Sequence, residues 1–167
     1  MKFKKEYLCC ASDELVDNAE IREIDEFVGA VAWERDFHIN VSEHRYEHQK
    51  GYNEALKQQF SRKSWKLQPL LCDDPKMIPD FEKNGIYIEV QFGNSATLYR
   101  DYYKFRYGLV HDMLKLAVLI VPTNPVNFFP TRPKSIRNMA EFDLAYRYYT
   151  LLPFPVPILL IGLLPEN

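Results

Sequence analysis

At 167 residues the chain is long enough to bury a proper core, and 47% hydrophobic residues with 11 Tyr and 11 Phe exclude a disordered or low-complexity polypeptide. A net charge of −2 gives no overall attraction to nucleic acid, but residues 1–36 carry ten acidic and five basic residues whereas 37–167 carry 13 and 16, so the larger part is mildly basic. Three cysteines (Cys9, Cys10, Cys72) without a C-x-x-C argue against a disulfide framework or structural zinc, and the apolar run 151–164, broken by three prolines, falls short of the roughly 20 residues that span a bilayer, so a cytoplasmic protein without membrane attachment is expected.

Residues 13–35 read as an acidic amphipathic helix, with Ile21, Ile24, Phe27, Val28 and Val31 at helical spacing and Ser12 or Asp13 as cap. Residues 42–60 read as a second helix, capped by Ser42, with Tyr46, Tyr52, Ala55, Leu56 and Phe60 as a broken apolar stripe and Gly51 as a weak point. This stretch contains His44-Arg45-Tyr46-Glu47-His48, an H-x-x-E-H pattern that on a helix could hold zinc. Three fixed positions arise easily by chance and no other His pair supports them, so the pattern reads as a polar helix face. A basic cluster at Arg62, Lys63 and Lys66 surrounds Trp65, and Asp73-Asp74-Pro75 marks a turn.

The most informative stretch is 76–95. Asn84-Gly85 signals a two-residue hairpin, because a type I′ turn needs residues that tolerate positive φ. Beyond it Ile86, Ile88, Val90 and Phe92 alternate with Tyr87, Glu89 and Gln91, a strand with one apolar and one polar face. With a two-residue loop Lys83 pairs with Ile86, and counting back puts Asp80 opposite Glu89, with Gln91 further along the same face. Two carboxylates so close repel unless a cation or proton lies between them, which suggests a site for a hard divalent metal. An exposed hairpin with ordinary surface charges is the other reading of the same pattern.

Residues 97–112 read as a helix with Leu98, Tyr102, Phe105 and Leu109 on an apolar line and Arg100 and Lys104 on another face. Residues 115–121 (KLAVLIV) read as a central strand covered on both sides. A loop with four prolines occupies 122–134, long enough to expect a functional role. A helix follows over 135–150, with Ser135 as a possible cap, and a buried strand over 156–163. The order predicts one α/β domain with a mixed central sheet flanked by helices: an acidic helical segment over 1–40 and the core over 42–164.

Pro79-Asp80, eight intervening residues and Glu89-Val90-Gln91 resemble the signature of the PD-(D/E)XK nuclease superfamily in the variant where Gln replaces Lys. With Phe92-x-Asn94 after it, Trp65-Lys66 before it, the 116–121 strand, Phe129-Pro130 and the closing 155–163 segment, the chain resembles BglII/BstYI-type restriction endonucleases over roughly 50–164. The resemblance implies a restriction-endonuclease-like core and a magnesium-dependent type II enzyme that cleaves double-stranded DNA as a homodimer, at a short palindrome centred on GATC, beside a cognate DNA methyltransferase. It implies that Asp80, Glu89 and the main-chain carbonyl of Val90 hold Mg²⁺, that Gln91 orients a water or phosphate oxygen, and that Gln68 supplies a polar group nearby. It assigns DNA contacts to Asn94, Ser95, Arg100, Lys104, Arg132 and Lys134, where Lys and Arg can donate to guanine and Asn can pair with adenine. Pro133 and Lys134 depart from the small polar residues of relatives, and a minimal core that encircles the duplex less completely is expected. A nonspecific or repair nuclease of the same fold and an inactive DNA-binding relative are the competing readings.

Overall fold

The computed structural model of the protein describes residues 1–9, 18–132 and 134–166, with the main chain alone at 134 and 135. Its centre is a six-stranded mixed sheet of β1 (Lys2–Leu8), β4 (Lys66–Leu67), β5 (Phe81–Lys83), β6 (Ile86–Val90), β7 (Leu116–Pro122) and β8 (Ile158–Leu164), in the order β1-β8-β7-β6-β5-β4. β6, β7 and β8 run parallel; β1 pairs with β8, β5 with β6 and β4 with β5, each antiparallel. The parallel strands are buried on both faces, which their near-continuous apolar sequences anticipate.

Alternation along the strands divides the core into two layers. Ile86, Ile88, Val118, Ile120, Leu159 and Ile161 pack against α1 (Ala19–Ala30) and α2 (His48–Phe60). Tyr87, Ala117, Leu119, Val121 and Leu160 pack against α3 (Thr97–Val110) and α5 (Phe142–Leu151). A one-turn α4 (Pro125–Phe128) inside the proline-rich loop places Phe128 and Phe129 against Tyr52 and Phe92. Among the described residues no helix is long and apolar enough to cross a membrane.

Several expectations are corrected. Residues 1–40 begin with a strand: Lys2, Lys4 and Glu6 of β1 are exposed at the sheet edge, while Phe3, Lys5 and Tyr7 are half-buried and Lys5 pairs with Asp25 of α1 at 2.6 Å, so the short charged edge strand carries no clear apolar signal. The first helix is shorter than 13–35; its cap is Asn18, whose Oδ1 accepts from Ile21 N at 3.0 Å, and Ser12 and Asp13 lie outside the described residues. The start of the second is a hairpin, β2 (His38–Val41) with β3 (His44–Glu47), and Ser42 is a turn residue with φ 56° rather than a cap. His44 is therefore on a strand and His48 opens α2, so the two share no helix face. Gly51 is no weak point: a Cβ there would lie 2.8 Å from the Phe37 ring, which stacks on Tyr52. The helix expected over 135–150 is split into a 3-10 turn (134–138) and α5, because Ala140 N donates to Gly93 O at 2.9 Å and Asn94 bridges Met139.

Candidate active site

The hairpin has the expected register, with Lys83, Glu82 and Phe81 opposite Ile86, Tyr87 and Ile88. Asn84 and Gly85 adopt φ 54° and 85°, as a type I′ turn requires. Asp80 lies just before β5. Its main-chain N–H donates to Ile88 O at 3.0 Å, and its Oδ2 accepts from Val90 N at 2.8 Å, which ties the carboxylate to the end of β6.

The polar face of β6 is covered, contrary to a half-exposed strand. Tyr87, Glu89 and Gln91 lie under α3, which comes so close that a Cβ on Gly108 would stand 2.5 Å from the Tyr87 ring. One and two turns earlier on α3 are Lys104 and Asp101, both buried. Lys104 Nζ is 2.7 Å from Glu89 Oε2 and 3.3 Å from Asp101 Oδ1. Gln91 Nε2 donates to Asp101 Oδ2 at 2.6 Å, and Gln91 Oε1 accepts from Gly93 N at 2.8 Å.

Asp80, Glu89, Gln91 and Lys104 line a cleft of about 530 Å³. Asp80, Glu89, Val90 and Gln91 form one wall with Gln68, α3 contributes Thr97, Arg100 and Lys104, and α2 contributes Gln49 and Asn53. Burial pushes Glu89 well above the usual carboxylate range, reinforced by the charges of Asp101 and Asp80 and opposed by Lys104. Asp80 is also raised, first by desolvation, against the Val90 N–H and Lys104 that favour its ionised form. Glu89 Oε1 is buried without a hydrogen-bond partner. Among the described residues no three His, Cys, Asp or Glu side chains are grouped as a ready-made metal centre, so a cation here would take two carboxylates, a main-chain oxygen and water. The hard oxygen donors and the unpartnered Oε1 fit such an ion.

The remaining expected site residues fall in several places. Gln68, in a left-handed conformation (φ 49°), donates its main-chain N–H to Asp80 O at 2.9 Å, and its side chain is exposed at the cleft. Arg100 is exposed at the mouth. Asn94 and Arg132 share a smaller adjoining hollow, where Arg132 Nη1 donates to Gln49 Oε1 at 3.0 Å. Ser95 N donates to Asn138 O at 2.7 Å. The side chain of Lys134 lies outside the described residues. Lys104 sits on the cleft floor against Glu89, so in this arrangement it is not free to read a base edge. Asp101, Gln49 and Asn53 were not anticipated. Asp101 carries a legible signal, since it falls inside the apolar stripe Leu98–Phe105–Gly108, where an acid must be partnered.

A family model for restriction endonuclease BglII/BglIII matches residues 6–163. The chain belongs to the BglII/BglIII restriction endonuclease family. It is therefore a type II site-specific deoxyribonuclease. A crystal structure of restriction endonuclease BglII complexed with a DNA 16-mer superposes with a TM-score of 0.74 at 23% identity, over 100% of this chain and 78% of that one. At that identity the likeness speaks for the fold. No curated protein matches the chain closely enough to count as a relative.

Proposed function

We propose that the whole chain works as one Mg²⁺-dependent endonuclease domain that cleaves double-stranded DNA at a short palindrome, with Asp80 and Glu89 as the acidic pair of the active site. The observation that carries this reading is the pair itself: two carboxylates of raised proton affinity in one cleft, Glu89 Oε1 lacking any partner, in a chain of a restriction family. Asp80, Glu89 and the Val90 carbonyl would hold the ion. Bound there, it would activate a water and offset the charge on the phosphate. The chain's own part is to keep Asp80 aimed through the Val90 N–H, to hold Glu89 dry, and to receive a phosphate at the exposed Arg100. Asn94, Ser95, Arg132 and Lys134 stand where base contacts are expected, and a GATC-centred site is the target we infer. A palindrome calls for a homodimer, and exposed Tyr99 and Tyr103 of α3 with Leu151 and Leu152 at the end of α5 give an apolar face suited to self-association. The enzyme would act in the cytoplasm beside a methyltransferase that protects the same site.

Digestion of a plasmid tests this directly. Discrete fragments are expected with Mg²⁺, none with EDTA, and none from Asp80→Ala. A smear would replace site specificity with the nonspecific nuclease, and an Asp80→Ala protein as active as wild type would remove the catalytic assignment.

A further inference from the structure

Gln91 stands where most of the wider superfamily has lysine, yet neither end of its amide is free. Nε2 is held by the buried Asp101 and Oε1 by the main chain of Gly93. An amide anchored this way braces the end of β6 and has little left to offer a substrate. The cleft nevertheless holds a lysine. Lys104 comes from α3, not β6, and reaches Glu89 at 2.7 Å with its ammonium lining the same cavity. Asp101 touches both: its Oδ2 accepts from Gln91, and its Oδ1, without a hydrogen-bond partner, is 3.3 Å from Lys104. A lone ammonium facing Asp80, Glu89 and Asp101 is the one buried cation among the described residues of this cleft.

We propose that Lys104 is the catalytic cation of this site, with Asp101 as its positioning residue and Gln91 as a brace. The proposal rests on the reading of the cleft as the nuclease centre. When a phosphodiester occupies the cleft, Lys104 turns from Glu89 Oε2 to donate to a phosphate oxygen. As the water oxygen bonds to phosphorus and one ester P–O bond breaks, it stabilises the added negative charge. Lys104 keeps its proton throughout; the water's proton leaves to solvent and the departing ester oxygen takes one up. The flexible four-carbon stem makes this short move feasible from a fixed helix. A rigidly placed strand residue is not needed.

The test is single-turnover cleavage in Mg²⁺ at saturating enzyme, with DNA affinity measured separately in Ca²⁺. Lys104→Met is expected to slow the saturated rate by about 100-fold or more, the scale of losing one preorganised donor, with affinity changed by less than about threefold. Gln91→Met should cost less than about tenfold, as expected of a brace. A Lys104→Met rate within about tenfold of wild type, or a loss that vanishes at higher enzyme concentration, overturns the proposal. So does a Gln91→Met loss larger than that of Lys104→Met. If Lys104→Met does not fold, Lys104→Gln, which keeps a donor toward Glu89 without the charge, takes its place under the same thresholds. Cleavage by wild type and its loss in Asp80→Ala judge the nuclease reading independently of Lys104.

Discussion

The surroundings of Glu89 and Asp80 raise the proton affinity of both carboxyls, so the fold resists their ionised forms. A carboxylate whose folded-state pKa is raised contributes its stability below the unfolded value, near pH 4, and loses it as pH climbs through the folded value. At pH 8 without divalent ions the pair therefore weighs against folding, relieved only in part by Lys104 and, for Asp80, by Arg100 and the Val90 N–H. Asp80→Asn keeps an acceptor for Val90 and removes one charge facing Glu89 and Asp101. It should melt higher than wild type at pH 8 in EDTA and no higher at pH 4, while cleavage is lost. An Asp80→Asn protein that melts lower than wild type at pH 8 would show that Asp80 is not destabilised by its surroundings.

At the scale of the element, α3 decides what the polar face of β6 can be. Alternation along 86–92 revealed a polar face but not its cover, because a period-two pattern reports which residues share a side and nothing about what lies on it. The cover follows from Gly108, the residue that lets α3 settle on Tyr87 and carries Asp101 and Lys104 down to Glu89. A methyl group at 108 must displace that ring or lift the helix. Gly108→Ala should cost about 1–3 kcal/mol, since added volume in a packed core is strained, with a Tm lower by about 2–4 °C per kcal/mol. It should also slow cleavage, because Lys104 is lifted with the helix; a variant with unchanged melting and rate would mean that α3 has slack. The same limit explains the split of the helix expected over 135–150. Its apolar spacing is helical, but main-chain bonding to Gly93 and Asn94 is a tertiary demand that spacing does not record.

Across the whole molecule, the buried parallel strands, the hairpin register and the acidic pair were legible because strong local signals carried them: KLAVLIV, Asn84-Gly85 and the count from Asp80 to Glu89. The edge strand β1 and the separate 38–47 hairpin were not. β1 is charged, and the 38–47 hairpin gains its reason only from packing on α2. Least legible was the place of the acidic helix. Glu23 Oε2 accepts from Trp65 Nε1 at 2.9 Å and from Lys83 Nζ at 2.7 Å, and Glu20 accepts from Asn84 at 2.8 Å. Its carboxylates thus grip β5, the hairpin tip and the approach to β4 from outside.

That grip bears on how the enzyme fails when heated. β4 and β5 are two and three residues long and form one end of the sheet, held there besides the clasp by Phe81 and Trp65 on the Phe60 ring. Local openings need far less free energy than global unfolding where buried contacts are few. Weakening the clasp would let the hairpin swing off and part Asp80 from Glu89 while β6, β7 and β8 stay folded. In Glu23→Ala, cleavage should therefore fade at a temperature below the loss of helical circular dichroism, with hydrogen exchange quickening at 81–83 ahead of 116–122. Coincident loss of activity and fold would mean that hairpin and core melt as one unit.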